Sequence, residues 1–269
     1  MLEEKYKKLE NILRDLGSVA IGFSGGVDSS LLVAVAAKVL ENKAVAITVL
    51  SPFCPKLEGK EAETLAKNVG IKHILLQLNP LEDERVAKNP PDRCYYCKYG
   101  IFSKLQETAA KEGISYVVDG SNSDDNNDYR PGMKAIKELG IKSPLQEAGL
   151  TKADIRALSK KLNLPTWNKE SAACLASRIP YGEQITKEKL GRVEAAEEYL
   201  TKFKFTHLRV RSHGDIARIE VGQEDFSLLG TQEVRNEIND ALKKLGFSYV
   251  SLDLAGYRVG SLNEVLRKK

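Results

Sequence analysis

The chain has 269 residues, of which 42% are hydrophobic and 29% charged, with a formal net charge of +4 at pH 7. This composition is that of an ordinary globular protein with room for one large or two modest domains. It has no apolar run near the ~20 residues of a membrane span and no signal-peptide core at its charged start, which predicts a cytoplasmic chain without a membrane partner. The mild charge gives little support for nucleic acid as a partner and fits a small anionic ligand equally well.

Helices and strands alternate along the first 165 residues. Helices are predicted at 3–16, 27–40, 57–69, 95–111 and 151–162, and strands at 19–23, 44–50, 73–78 and 116–119. This alternation predicts an α/β fold with a doubly wound parallel sheet. Ligands of such sheets bind beyond the carboxyl ends of the strands, so residues that follow strands are expected to converge there.

The stretch Ser24-Gly25-Gly26-Val27-Asp28-Ser29 lies between the first predicted strand and the next helix. Strand, glycine turn and helix together point backbone N–H groups and a helix dipole at an anion. The lysine of the Walker P-loop is missing, and the stretch instead resembles the PP-loop, Ser-Gly-Gly-x-Asp-Ser, of ATP pyrophosphatases. A plain glycine turn between strand and helix is the competing interpretation, and the six matching positions outweigh it.

Further candidates for the ATP site follow later strands. Ser51 follows the second strand and Gly120 follows the fourth. The segment 121–131 is dense in turn-forming residues, so it is predicted either as a solvated loop or as an active-site loop that points Asp124, Asp125 and Arg130 at ATP or metal.

Three of the four cysteines have a spacing that suits a metal centre. Cys94 and Cys97 form a Cys-x-x-Cys after the third strand, and Cys174 lies far along the chain. A zinc site would require a fourth ligand that the spacing does not supply, whereas three thiolates suit a [4Fe–4S] cluster with one open iron. A redox disulfide, a lone sulfur-carrying Cys174 and inert buried thiols remain alternatives. Cys54 is interpreted as a thiol without a role.

The pattern changes after Pro165. A long helix at 184–203, a hairpin of strands 207–211 and 216–221, a helix at 233–245 and a strand at 249–254 predict a smaller α+β domain, so we place domains at 1–165 and 166–269. Arg178, Arg209 and Arg211 form a candidate anion site near Cys174, and Glu197 and Glu220 are candidate partners. A solvated strand face with surface ion pairs is the competing interpretation.

Several motifs along the whole chain resemble the LarE family. They are the PP-loop, 128–132 (Asp-Tyr-Arg-Pro-Gly), 143–145 (Ser-Pro-Leu), 174–182 (Cys-Leu-Ala-Ser-Arg-Ile-Pro-Tyr-Gly), 209–211 (Arg-Val-Arg) and 218–221 (Arg-Ile-Glu-Val). The resemblance implies ATP-dependent sulfur insertion into pyridinium-3,5-biscarboxylic acid mononucleotide during synthesis of the nickel-pincer nucleotide. ATP adenylates a carboxylate, and sulfur then displaces AMP to leave a thiocarboxylate.

The resemblance also implies roles for individual residues. Ser24, Gly25, Gly26, Asp28 and Ser29 should bind the ATP phosphates, with Mg²⁺ bridging them and Asp28 as its candidate ligand. Cys94 and Cys97 depart from the branch that uses one sacrificial cysteine, equivalent to Cys174, and match the branch in which three cysteines hold a [4Fe–4S] cluster. Arg178, Arg209 and Arg211 should bind the substrate's phosphate or carboxylate, oriented by Glu197 and Glu220. Sulfide or a sulfur donor protein would supply the sulfur, and a homo-oligomer built through the C-terminal domain is implied.

Three rival functions remain at this stage. A tRNA thiolase of the same superfamily also combines a PP-loop with three cluster cysteines, and it predicts a pronounced basic surface. An amidotransferase-type enzyme such as an NAD or GMP synthetase would use ammonia and need no cysteine. A nucleotide-sensing module would bind ATP without releasing pyrophosphate.

Overall fold

The computed structural model describes residues 2–127, 131–170 and 174–267. The chain divides into two compact units. The first comprises Met1–Pro80 with Asp92–Ala172, and the second comprises Leu81–Pro91 with Ala173–Lys269.

The first unit alternates helices and strands as the sequence predicts. Its elements are α1 (Leu2–Leu16), β1 (Val19–Gly22), α2 (Val27–Leu40), β2 (Ala44–Leu50), α3 (Lys56–Val69), β3 (Lys72–Gln77), α5 (Arg93–Lys111), β4 (Tyr116–Val118), α6 (Pro131–Glu138), α7 (Pro144–Glu147) and α8 (Lys152–Lys161), while α4 (Glu84–Ala87) belongs to the second unit.

The four strands form one parallel sheet in the order β3-β2-β1-β4, which confirms the predicted fold class. Its central strands are apolar on both faces because helices cover both: Ile21 packs in one hydrophobic cluster with α1 and α2, and Ala20 and Ile47 pack in another with α5. The parallel arrangement brings the carboxyl ends of the strands to one edge, where the glycine loop follows β1.

Helix α8 shows how local sequence sets an element boundary. The Thr151 hydroxyl accepts a hydrogen bond from the Asp154 backbone N–H at 3.2 Å, and the Asp154 carboxylate accepts one from the Thr151 N–H at 3.1 Å. The sequence predicts this reciprocal capping box, because Thr151 is a candidate N-cap and Asp154 follows it by three positions, and the structure confirms it.

The second unit is a smaller α+β structure. Its further elements are α9 (Lys187–Leu200), β5 (Leu208–His213), β6 (Ile216–Val221), α10 (Gln232–Lys244), β7 (Tyr249–Leu252) and α11 (Glu264–Arg267). Strands β5 and β6 are antiparallel and β7 lies parallel to β6, in the order β5-β6-β7. One face of this sheet packs against α9 and α10 through residues such as Val210, Ile219 and Val221.

Some elements differ from their predicted extents. Helix α6 begins at Pro131, inside the segment predicted to be a loop, and proline is well tolerated at the first helical position. The helix predicted from residue 184 starts only at Lys187, because the Thr186 hydroxyl caps it by accepting the Lys189 N–H at 3.2 Å. Strand β5 continues to His213, which shortens the hairpin turn to Gly214 and Asp215.

The division into units differs from the predicted boundary after residue 165 in two respects. Residues 167–169 stay with the first unit, where the backbone carbonyls of Trp167 and Lys169 accept hydrogen bonds from Arg156 at 3.2 and 3.0 Å. Leu81–Pro91 joins the second unit, since the buried Asn89 amide donates to the carbonyls of Ile179, Pro180 and Glu183 at 2.7–3.2 Å.

Among the described helices, none combines the length and the apolar character that crossing a bilayer requires.

Replacing Asn89 with Ala should destabilise the second unit, since buried carbonyls lose their donor. We expect the free energy of unfolding to fall by about 2–3 kcal/mol in urea denaturation. Asn163→Ala is the matched control, because Asn163 has the same left-handed conformation (φ 54° against 55°) but is exposed, and it should cost only about 1 kcal/mol. Equal losses in the two variants would show that the Asn89 amide contributes nothing beyond its backbone conformation.

Candidate functional site

The glycine loop after β1 is shaped to receive an anion. Gly25 has a φ of +72°, a left-handed conformation that glycine adopts without strain, and Gly26 is the N-cap of α2 with no side-chain cap. The first backbone N–H groups of a helix have no partner within the helix and carry its positive dipole end. The Ser24 and Ser29 hydroxyls lie 3.1 Å apart beside them. Backbone donors, a helix dipole and two hydroxyls therefore meet at one point, as phosphate binding requires.

A buried hydrogen-bond chain supports the loop from below. The Thr48 hydroxyl donates to the Phe23 carbonyl at 2.8 Å, and its oxygen lies 2.8 Å from Nε2 of His73. Burial lowers the pKa of His73, which favours the neutral imidazole. The Thr48 hydroxyl donates its one proton to Phe23, so Nε2 is the donor in the bond between His73 and Thr48. Neighbouring strands thus fix the residue that precedes Ser24.

Gly120 closes the loop from the other side. A Cβ at this position would lie 3.1 Å from the backbone nitrogen of Ser29 and 3.3 Å from its Cα. Such distances are shorter than ordinary van der Waals contacts, so a side chain at this position would require the Ser29 backbone to shift by a few tenths of an ångström. The structure therefore brings Gly120 to the glycine loop, as expected from its place after β4.

Asp28 has two partners that the sequence did not reveal. The Lys152 ammonium forms an ion pair with Asp28 Oδ2, and the Asn122 amide donates to Asp28 Oδ1 at 3.2 Å. Lys152 is the first residue of α8, which packs against α2, and its backbone N–H donates to Asp124 at 2.8 Å. The PP-loop carboxylate is thus held by a cation from more than a hundred residues downstream.

The remaining predicted ATP-site residues are less engaged with the loop. Ser51 stands at the end of β2, where its hydroxyl accepts the Phe53 N–H at 3.2 Å and lies 3.7 Å from the sulfur of Cys54. Asp125 accepts the Asn122 N–H at 3.0 Å within the segment after β4. Arg130 lies outside the described residues.

Cys94 and Cys97 lie on the first turns of α5, which starts two residues earlier than predicted. Positions three apart share a helix face, so both half-buried thiols point to the same side. Cys174, in the second unit, is exposed and precedes a short 3₁₀ turn. All four cysteines lie in described parts of the chain, and none forms a disulfide.

In the described portion of the chain, no group of three or more His, Cys, Asp and Glu side chains is arranged to hold a metal ion. The three-cysteine centre therefore stays a prediction.

The predicted anion site of the second unit contains two buried ion pairs. Arg178 is 3% exposed and binds both carboxylate oxygens of Glu197, at 2.8 and 3.0 Å. Arg211 binds both oxygens of the fully buried Glu220, at 2.7 and 2.9 Å. Ser177 joins the two pairs, because its hydroxyl accepts from Arg178 at 2.9 Å and its carbonyl accepts from Arg211 at 2.7 Å.

Arg209 differs from these two arginines. It lies on the same face of β5 as Arg211, is half-buried, and places its guanidinium 5.3 Å from the centre of the Tyr257 ring. It donates to the Leu208 carbonyl at 2.6 Å, and it forms no ion pair with a carboxylate in the described residues. The charges of Arg178 and Arg211 are thus balanced by carboxylates, whereas no carboxylate within the described residues does this for Arg209.

The parallel sheet and the Ser-Gly-Gly-x-Asp-Ser loop at the start of α2 define a PP-loop ATP pyrophosphatase. The family model of NAD synthase matches residues 2–89, which include this loop. The chain is 44% identical to an uncharacterised protein of Synechocystis sp., with all of both chains covered. It is 40% identical to the pyridinium-3,5-bisthiocarboxylic acid mononucleotide synthase of Lactiplantibacillus plantarum, over 99% of this chain and 96% of that protein. A protein of Methanocaldococcus jannaschii is 31% identical over 95% of this chain and 98% of its own length.

Within this class, the chain belongs to the LarE family, which confirms the resemblance seen in the sequence.

Replacing Gly120 with Ala should disturb the loop, because the added methyl group meets the backbone of Ser29. We expect a loss of about 1–3 kcal/mol in the free energy of unfolding, measured by urea denaturation. Gly100→Ala in α5 is the control, since no atom lies within 4 Å of the added Cβ, and it should stabilise the helix by about 0.5–1 kcal/mol. A Gly120→Ala variant as stable as the wild type would contradict the close approach.

Proposed function

We propose that this chain is an ATP-dependent sulfur transferase that converts the carboxylates of pyridinium-3,5-biscarboxylic acid mononucleotide into thiocarboxylates, with release of AMP and pyrophosphate. The observation that carries the proposal is the full-length similarity to the L. plantarum synthase. The loop geometry supports it independently, because an ATP-activated reaction requires a phosphate site of this kind.

The first half of the reaction activates a carboxylate. A carboxylate is a poor electrophile because its oxygen is a poor leaving group, so its oxygen first attacks the α-phosphorus of ATP and pyrophosphate leaves. The N–H groups at the start of α2 and the hydroxyls of Ser24 and Ser29 would hold the phosphates, where developing charge needs stabilisation. Mg²⁺ would neutralise the leaving pyrophosphate, with Asp28 as its candidate ligand, once ATP has drawn Lys152 away from that carboxylate.

The second half replaces AMP with sulfur. Cys94, Cys97 and Cys174 would hold a [4Fe–4S] cluster, which would supply the sulfide that replaces AMP. The shared helix face of Cys94 and Cys97 supports this part of the proposal. Sulfur attack on the adenylated carbon expels AMP and leaves the thiocarboxylate, and the reaction is repeated on the second carboxylate.

The arginines of the second unit would share the work of binding substrate. Arg209 has no carboxylate partner among the described residues, so it is the arginine best suited to contact the substrate's phosphate or carboxylate directly. Arg178 with Glu197, and Arg211 with Glu220, are buried pairs that would hold β5 and the segment after Cys174 in place. We also propose a cytoplasmic homo-oligomer that takes its sulfur from sulfide or a donor protein.

The cluster can be tested by iron and acid-labile sulfide analysis of protein purified without oxygen. We expect about four irons and four sulfides per chain, and their loss in Cys94→Ala. Cys54→Ala is the matched control, because Cys54 is another cysteine of the first unit but has no role in the proposal, and it should keep its iron.

Reconstituted wild-type protein without iron would overturn the cluster. Cys174 would then be a lone sulfur donor, and the conversion of Cys174 to dehydroalanine after one reaction, seen by mass spectrometry, would identify it as such.

A further inference from the structure

A second lysine reaches the PP-loop from a distant part of the sequence. The ammonium of Lys169 lies 3.2 Å from the carbonyl oxygen of Gly25, the loop residue in the left-handed conformation. Lys169 and Gly25 are 144 positions apart, so no sequence motif joins them. The Walker P-loop places a lysine within its own loop to bind the β- and γ-phosphates, and the PP-loop has none at that place.

The backbone that carries Lys169 is fixed by α8. Arg156 donates to the carbonyls of both Trp167 and Lys169, at 3.2 and 3.0 Å, and the Lys160 ammonium lies 4.8 Å from the centre of the Trp167 ring. The Lys169 N–H also closes a turn on the carbonyl of Thr166 at 3.0 Å. With the backbone held at these points, the side chain of Lys169 is directed at the loop.

Among the described residues, the Lys169 ammonium has one counter-ion, and that counter-ion is partly exposed. Glu61 on α3 lies 2.6 Å from the Lys169 nitrogen, and its side chain is 47% exposed against 25% for that of Lys169. A half-exposed carboxylate with one negative charge holds a lysine weakly, because water screens the pair. A triphosphate carries several negative charges and would bind beside Gly25, so it competes favourably for the same ammonium.

We propose that Lys169 is a phosphate ligand of bound ATP, and that it exchanges the carboxylate of Glu61 for the polyphosphate when ATP binds. The inference rests on the ATP-dependent part of the proposed function and not on its sulfur chemistry. Lys169 would supply from outside the loop the positive charge that the Walker motif carries within it, and it would stabilise the leaving pyrophosphate.

The test compares binding of ATP with binding of adenosine, which has no phosphate. ATP is followed by isothermal titration calorimetry and adenosine by ligand-observed NMR, in wild type, Lys169→Ala, Lys169→Arg and Lys161→Ala. We expect Lys169→Ala to bind ATP about ten- to a hundredfold more weakly, with adenosine binding unchanged. Lys169→Arg should recover part of the loss. Lys161→Ala removes a positive charge from α8, at a residue whose ion pair is with Glu3 of α1, and it should bind both ligands as the wild type does.

The Glu61→Gln variant gives a second test, in which the affinity for ATP should change in the opposite direction. Removing the competing carboxylate should tighten ATP binding several-fold in the wild-type background and have no effect in Lys169→Ala, because the two side chains act through one ammonium. A lysine that only supports the Gly25 carbonyl would give neither result.

Two outcomes overturn the inference alone: unchanged ATP affinity in Lys169→Ala, or an equal loss of ATP and adenosine binding, which would indicate a structural role. A wild-type chain that binds adenosine but gains nothing from the phosphates of ATP overturns the proposed function together with this inference.

Discussion

The candidate phosphate site of the first unit is built on the N–H groups at the start of α2, which have no partner within the helix. They point into the loop after β1, and only a glycine-containing turn lets a ligand come close enough to use them. A polyanion placed there meets the positive end of a helix as well as individual donors. The buried strands beneath, with Thr48 and His73 linked to the Phe23 carbonyl, hold that end in position.

The charges around this helix end come from far along the chain. Gly120 allows β4 to end against Ser29, and Lys152 and Lys169 approach the loop from either end of the α8 region. Each lysine is paired with a carboxylate, Asp28 in one case and Glu61 in the other. In the proposed function, binding of ATP with its metal would exchange these carboxylates for phosphate.

Features governed by local sequence could be predicted, and those set by distant contacts could not. The apolar run at 44–50, the glycine loop and the Thr151 capping box each depend on neighbouring residues, and each appears in the structure as expected. The segment Leu81–Pro91 joins the second unit through an Asn89 amide that binds carbonyls about ninety residues away, and no spacing rule shows this. The two lysines were missed for the same reason.

The two arginines of the Arg-Val-Arg motif show a similar limit to what the sequence alone can predict. Arg209 and Arg211 are two positions apart on one strand, and the sequence treats them alike. Burial separates them, since Arg211 is bound at Glu220 whereas Arg209 lies half-buried beside Tyr257. The partner of each guanidinium, and not the residue type, makes Arg209 the arginine that we propose to contact the substrate.

In the proposed reaction, one carboxylate oxygen of the substrate attacks ATP before sulfur enters. The decisive experiment uses pyridinium-3,5-biscarboxylic acid mononucleotide labelled with ¹⁸O in its carboxylates, with mass spectrometry of the AMP formed. Adenylation followed by displacement leaves the attacking oxygen on phosphorus, so one ¹⁸O should appear in AMP for each thiocarboxylate made. Unlabelled AMP formed alongside a thiocarboxylate product would show that no carboxylate oxygen of the substrate had attacked ATP.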